Sequence, residues 1–318
     1  MATAEPIVEL MQVTKSFQDK EAVTDLSMTI TPQQIFGLIG PSGCGKTTTV
    51  RMLVGVLAPS GGHIRVLGSD PRKFTTRQKE SIGYTPQGFF LYPTLTVYEN
   101  VRFVASLFGV GIRKRRQRSQ EILKFLEIWD ARDRLSRDLS GGMQRRLELA
   151  CALVHDPTLL FVDEPTAGLD PILRERIWTY LRSLRDGGTT ILCTTQYIDE
   201  IGQCDRVAIL NEGRLAAVGT PRELQQRAAG GDIVNVQVDY VSRASLAALN
   251  QVPGLKAIRW TSNGHLQVVA DDAATATPRI SEALQANGDQ VTAIEPYVES
   301  FDDVFKQIVH ESAVKASA

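Results

Sequence analysis

The sequence predicts an α/β protein: a mainly parallel sheet with an antiparallel β edge and a helical subdomain, then a small C-terminal α+β domain of βαββαβ type. Three observations carry this expectation. Short apolar runs at residues 35–39, 159–162, 189–194 and 206–210 have the character of strands buried on both faces, as in a parallel sheet. Between the first and second of these runs, residues 88–156 take on helical periodicity, so helices interrupt the strand series. A composition break at Ala228, Ala229, Gly230 and Gly231 then opens a second series of strands and helices, giving expected domains at 1–230 and 231–318.

Taken in order, residues 7–13 alternate apolar and polar side chains, as an exposed-edge strand would. Residues 14–20 read as a turn and 22–30 as a second strand of the same kind. The core strand 35–39 runs through a glycine loop into a helix. Residues 57–62 form a turn, 63–67 a short strand, and a further strand ends at Pro86, whose ring removes a ladder donor. Helices are expected over 97–108, 118–126 and 141–154. The basic run Arg113, Lys114, Arg115, Arg116, Arg118 reads as a solvated loop leading into the second of them, because one short cluster lacks the extended footprint of nucleic-acid binding. Residues 91–97 are unusually apolar for a connection. They either pack internally or form a groove for a partner's helix. Beyond the break come a strand at 233–240, a helix at 243–250, a hairpin of 255–261 and 265–270 turning at Ser262, Asn263 and Gly264, a helix at 278–286, a strand at 291–296 and a closing helix at 300–311.

Composition sets limits on function. The 318 residues are 43% hydrophobic and 22% charged, with a formal net charge of −1, values of an ordinary globular protein with two cores. Near-zero net charge argues against a nucleic-acid partner. Cys44, Cys151, Cys193 and Cys204 have neither metal-ligand spacing nor a paired framework, which suits a reducing compartment. No signal peptide is expected at Met1. The longest apolar candidate for a membrane span, 101–112, is short and contains Arg102, so attachment to a membrane would run through a partner.

Three stretches carry chemistry. Gly40, Pro41, Ser42, Gly43, Cys44, Gly45, Lys46, Thr47 and Thr48 meet the pattern G-x-x-x-x-G-K-[ST] between a strand and a helix. Such a loop, free of bulky side chains, points backbone N–H groups and a helix N-terminus at a polyphosphate. Lys46 would reach the terminal phosphates, and Thr47 would hold Mg²⁺. The strand 159–162 ends in Asp163 and Glu164, at the sheet edge where parallel sheets bind ligands. Asp163 would approach the metal and Glu164 would orient or deprotonate water. Leu139, Ser140, Gly141, Gly142, Met143 and Gln144 give a helix N-cap followed by uncovered N–H groups, a second anion site.

Together these residues resemble the ATP-binding cassette family, the nucleotide-binding subunits of ABC transporters, over residues 7–226. The resemblance implies a RecA-like P-loop NTPase core that binds ATP and Mg²⁺, with residues 40–48 as Walker A and 159–164 as Walker B. Ser140, Gly141 and Gly142 would then contact a γ-phosphate held by a second cassette, most simply in a homodimer. Gln87 looks like the loop glutamine that touches Mg²⁺ and links to the membrane partner, and Asp170 like the residue that communicates across the dimer. Phe17 occupies the position of the aromatic that stacks on adenine, although by itself it could equally be a strand-end packing residue. The family usually has histidine where this chain has Gln196; glutamine donates a hydrogen bond but carries no charge. That glutamine and the C-terminal ending resemble the drug-export branch, daunorubicin-resistance-like, which works with a separate integral membrane permease of the ABC-2 type. The implied place is the cytoplasmic face of the cell membrane. The readings left beside this one are a nucleotide-gated switch with negligible turnover and a soluble cassette ATPase outside transport. The C-terminal domain shows no catalytic cluster and reads as a dimerisation or regulatory module.

Overall fold

The computed structural model describes residues 5–18, 20–87, 91–262 and 264–317 and divides into two compact units, Met1–Val218 and Gly219–Ala318. The first opens with β1 (Val8–Phe17), β2 (Lys20–Ile30), β3 (Ile35–Ile39), α1 (Lys46–Leu53) and β4 (Gly61–Val66). β1 is the middle strand of an antiparallel sheet ordered β2-β1-β4. Two expectations are corrected here. β1 is central rather than an edge, and it runs through 14–17, expected as turn, to Phe17. The cause is a set of bulges: the register shifts near Val13 and Lys15, and Gln12 takes φ 51, which breaks the alternation without ending the pairing. Asp19, in the same expected turn, lies outside the described residues.

α2 (Thr76–Glu80) leads into β5 (Ile82–Thr85), and then come α3 (Val97–Leu107), α4 (Ile112–Phe125) and α5 (Gly141–Leu153). Residues 88–90, at the start of the expected helical subdomain, lie outside the described residues. α3 begins at a capping box in which Thr96 and Glu99 satisfy each other's backbone N–H groups. The buried Asn100 bonds the carbonyls of Tyr92, Leu95 and Thr96 and accepts from the N–H of Tyr92, which fastens the apolar connection from within. α4 starts six residues earlier than expected, so the basic run forms its first turns and not a loop. Helix geometry gives these cations partners that a loop would not: Arg115 reaches the carbonyl of Val110, and Arg118 pairs with Asp156 and Glu121.

The unit closes with β6 (Leu159–Asp163), α6 (Pro171–Asp186), β7 (Thr190–Thr195), β8 (Arg206–Asn211) and β9 (Arg214–Gly219). The large sheet is ordered β5-β6-β7-β3-β8-β9, with β5, β6, β7, β3 and β8 in parallel register. Every residue of β3, β6 and β7 is buried, which explains their continuous apolar runs. Their adjacency brings the loops after Ile39, Asp163 and Thr195 to one edge.

The second unit contains α7 (Pro221–Ala229), β10 (Asp232–Val238), α8 (Arg243–Leu249), β11 (Leu255–Ser262), β12 (His265–Ala270), α9 (Ala273–Gln285), β13 (Val291–Tyr297) and α10 (Phe301–Ser317). Its sheet is antiparallel, ordered β11-β12-β10-β13, with Val234, Val236, Val268, Leu249, Ile280 and Leu284 in the core. The unit begins at Gly219, twelve residues before the expected domain start at 231, because α7 bonds within it: Arg227 pairs with Glu311 and Gln226 donates to Asp232. α9 starts five residues ahead of Pro278, the expected first residue. Asp272 caps it, and buried Ala273, Ala276 and Ile280 keep a helical face through the proline. Asn263, in the expected hairpin turn, lies outside the described residues.

His155, just after α5, donates through Nε2 to the carbonyl of Ile82, 2.9 Å away, and stacks flat on Phe108 with centroids 3.8 Å apart. Burial pushes its pKa below the ordinary histidine value, against a weaker upward pull from the Ile82 carbonyl, Asp156 and Glu80. A depressed pKa means that the unfolded chain binds the proton first. The contribution is therefore complete above the unfolded value, about 6.5, and is lost as pH falls below it. Urea midpoints of the wild type are expected to drop between pH 7.5 and 5.5, and His155→Gln should narrow that drop; an unchanged pH slope in the variant would refute the assignment.

Candidate functional site

The glycine loop is moulded by its neighbours. A Cβ on Gly40 would lie 2.2 Å from the carbonyl oxygen of Leu210 in β8, so the chain leaves β3 with no room for a side chain. Gly45 takes φ +102, and a Cβ there would lie 2.4 Å from the carbonyl of Ala22 in β2. The loop is thus clamped between the two sheets, with Pro41, Ser42 and Gly43 exposed at its tip and Cys44 buried beneath. Burial raises the pKa of the Cys44 thiol, against the pull of the Lys46 charge, so the thiol stays protonated near neutral pH. Gly45 is the N-cap of α1 and offers no side-chain cap, and the first turn has no acidic residue, which leaves its N-terminal N–H groups and partial positive charge uncompensated. Lys46 is buried, its Nζ donating to the carbonyls of Gly40 at 2.8 Å and Pro41 at 3.0 Å. Thr47 and Thr48 follow, half-buried.

Asp163, at the end of β6, is fully buried. Its Oδ1 accepts from the hydroxyls of Thr47, at 3.3 Å, and Thr194, while its Oδ2 is buried without a hydrogen-bond partner. An orphaned carboxylate oxygen beside a threonine hydroxyl is a hard oxygen donor set, and these residues fit a magnesium ion. Glu164 takes φ 51, a left-handed conformation that costs about 1–3 kcal/mol in a non-glycine residue. Its N–H donates to both the hydroxyl and the carbonyl of Thr194, at 3.0 and 3.1 Å. Its carboxylate lies between two predicted residues: Gln87 Nε2 donates to Oε2 at 2.9 Å, and Lys46 Nζ is 3.9 Å from Oε1.

Ser140 caps α5, its hydroxyl accepting from the N–H of Met143 at 3.4 Å. Gly141 is exposed and faces open space, whereas a Cβ on Gly142 would lie 2.3 Å from Cδ2 of Leu173 in α6. A cavity of about 480 Å³ brings Gln87, Gly141, Gly142, Glu164, Gly168 and Asp170 together. Asp170 caps α6 by accepting from the N–H of Leu173 at 3.0 Å. Gln196 and Phe17 do not line that cavity. Gln196 is exposed just past β7, and Phe17 is exposed at the end of β1 with Lys15 Nζ 5.0 Å from its ring centroid.

Two residues escaped the sequence reading. Thr194 holds both Asp163 and Glu164, and Arg145 in α5 is buried with its guanidinium on the carbonyls of Asp163, Pro165 and Pro86. The available signal for Arg145 was an arginine and a glutamate, Glu148, at i,i+3 spacing among Leu147, Leu149 and Ala150, which a helix buries on all sides.

Residues 23–167 match the family described as ABC transporter, and residues 219–309 match the C-terminal domain of the DrrA1-3-like ATP-binding proteins. The Nod factor export ATP-binding protein I of Cupriavidus metallidurans is 39% identical over 234 residues, 73% of this chain and 77% of that protein. The probable multidrug ABC transporter ATP-binding protein YbhF of Escherichia coli is 35% identical over 228 residues, 72% of this chain; the match spans only 39% of YbhF's length. Among solved structures, a dimeric ATP-binding cassette in a post-hydrolysis state bound to ADP and Pi superposes with a TM-score of 0.63 at 27% identity, covering 67% of this chain and 98% of that one.

The clamp on the loop predicts an order of damage. Gly45→Ala meets both the left-handed backbone and the Ala22 carbonyl and should cost about 1–3 kcal/mol, visible as a lowered Tm. Gly43→Ala shares the positive φ, +80, but has open space around it and should cost less. If Gly45→Ala unfolds no earlier than Gly43→Ala, the Ala22 contact is not what shapes the loop.

Proposed function

Because this chain belongs to the ABC transporter ATP-binding family, a family of ATPases, we propose that two copies close around ATP and hydrolyse it to drive a separate integral membrane permease of the ABC-2 type, in the export direction. The observation that carries the reading is the meeting of Lys46 and Gln87 on the Glu164 carboxylate, beside the unsatisfied oxygen of Asp163.

In this reading the loop N–H groups of residues 40–48 and the start of α1 bind the phosphates, and Lys46 exchanges its loop carbonyls for the terminal phosphate oxygens. Thr47, Asp163 and Gln87 would hold Mg²⁺, which neutralises phosphate charge. Glu164 orients the attacking water and takes its proton. Gln196 donates one hydrogen bond where the family usually has histidine. Phe17 offers an exposed ring for adenine, and Asp170 faces the second copy. Ser140, Gly141 and Gly142 cover the γ-phosphate bound by that copy, so ATP acts as part of the interface. Loss of the γ-phosphate contacts then releases the pair. The names of the relatives, one a Nod factor exporter and one a probable multidrug transporter, support export.

Among the described residues no helix is long and apolar enough to cross a membrane. A cavity of about 440 Å³ next to Pro86, lined by Leu91, Val104, Phe108, Val54 and Tyr84, is a fitting seat for a permease's cytoplasmic helix and would hold the chain at the cytoplasmic face. Its neighbour Gln87 would sense that helix. Residues 219–309, which match the DrrA1-3-like C-terminal domain, would serve as a dimerisation or regulatory module.

Steady-state hydrolysis by the wild type, measured with and without a co-purified membrane partner, should exceed that of Glu164→Gln by about 10²–10⁴-fold, while Gln196→His should change it only modestly. An inert wild type revived by Gln196→His would make the chain a nucleotide-gated switch instead. Leu91→Glu should abolish co-purification with the permease while ATP binding persists; retained co-purification would exclude this groove as the docking seat.

A further inference from the structure

We infer that Arg145 is a positioning residue that connects the start of α5 to Glu164, and thereby connects the two ATP sites of the paired protein; the inference rests on the head-to-tail pairing proposed above. Arg145 is 8% exposed. Its Nη2 donates to the carbonyl of Asp163 at 2.7 Å, its Nε to that of Pro165 at 3.2 Å, and its Nη1 to that of Pro86 at 3.3 Å. Nη1 also donates to Glu148 at 2.8 Å, one turn along the same helix, so the charge is paired inside the fold.

The choice of carbonyls is informative. Asp163 and Pro165 bracket Glu164, and Pro86 precedes Gln87, which holds the Glu164 carboxylate. Glu164 is the residue with the left-handed backbone, φ 51, and such a conformation persists only where its surroundings over-determine it. Thr194 grips the Glu164 N–H from β7; Arg145 grips the carbonyls on either side of the residue from α5. The planar five-donor fork of arginine can serve three carbonyls and a carboxylate at once, which a lysine ammonium cannot do in one plane.

Arg145 lies three residues after Gly142 on a continuous helix, a separation of about 4.5 Å along the axis. Any displacement of the Ser140–Gly142 end on meeting a γ-phosphate is delivered to Arg145 with little loss. In the head-to-tail pair, that end of α5 attends the nucleotide of the second copy, whereas Glu164 attends the chain's own. The guanidinium therefore carries the state of one site to the carboxylate of the other.

The test compares wild type, Arg145→Lys and Glu164→Gln as full chains with their membrane partner. Arg145→Lys keeps a positive charge for Glu148 and loses the fork. It should lower kcat about tenfold to a hundredfold with KM for ATP within about twofold, bring the Hill coefficient toward one, and leave the Tm near wild type. Unchanged kcat and Hill coefficient, or losses that follow a fallen Tm, would overturn the inference. Mixed pairs separate the two halves of the claim. With one chain wild type and the other Glu164→Gln, adding Lys46→Ala to the Glu164→Gln chain, which empties its site of ATP, should slow the live site, and Arg145→Lys in the live chain should remove that dependence. No effect there would leave Arg145 serving its own site alone and would overturn the connection between sites. Hydrogen exchange does not depend on turnover. In mixed pairs where one chain carries Lys46→Ala and holds no ATP of its own, ATP on the other chain should protect residues 139–144, 82–87 and 163–167 of the empty chain together, but only 139–144 when that chain also carries Arg145→Lys. Joint protection in the variant overturns the inference even if the wild type proves to bind without hydrolysing, an outcome that would count against the ATPase reading and not against Arg145.

Discussion

A carboxylate buried in a protein interior, with one oxygen lacking a partner, is a costly arrangement, and Asp163 embodies it. Its neighbours in α1 and β7 supply hydroxyl donors, from Thr47 and Thr194. The arrangement makes physical sense if the remaining lone pair is kept for a cation. Around that constraint the rest falls into place. Three fully buried parallel strands deliver the acid, the glycine loop and Thr194 to one edge. The loop has lost its side chains where two sheets press on it, and the neighbouring Glu164 accepts a strained backbone in order to turn its carboxylate toward Lys46 and Gln87.

Much of this was legible in the sequence because it is local. A glycine loop between a strand and a helix, an acidic pair after an apolar run and a serine before two glycines are all short-range patterns, each with a local physical cause. The parallel strands were equally clear, since burial on both faces leaves no alternation to misread. The errors arose where tertiary pairing overrode local texture. β1 crosses bulges that look like a turn, α4 holds a basic run that looks like a loop, and α9 passes through a proline that looks like a start. Arg145 and Thr194 were missed for a related reason. Their partners lie far off in sequence and are mostly backbone carbonyls or N–H groups, which no residue pattern encodes.

Gln196 lies exposed just past β7, and the geometry shows how much of the site is independent of it. Glu164 is held by Thr194, Gln87, Lys46 and the carbonyl contacts of Arg145, none of which involves the residue past β7. A neutral side chain at 196 therefore leaves the framework of the carboxylate untouched. Nearby, Arg174 lies over the ring of Tyr197 and donates to the carbonyl of Leu169, so the segment after β7 is tied to the one before Asp170.

The assignment of α7 to the second unit bears on how the chain can be dissected. Leu224 and Ala229 of that helix are buried, and Arg227 and Gln226 bond to residues that follow it. A fragment ending at the glycine pair 230–231 would carry a helix whose apolar stripe had lost its cover, an invitation to aggregate. Ending the first fragment just after β9 removes that stripe with the unit it stabilises, and gives each half its own sealed interior for separate study.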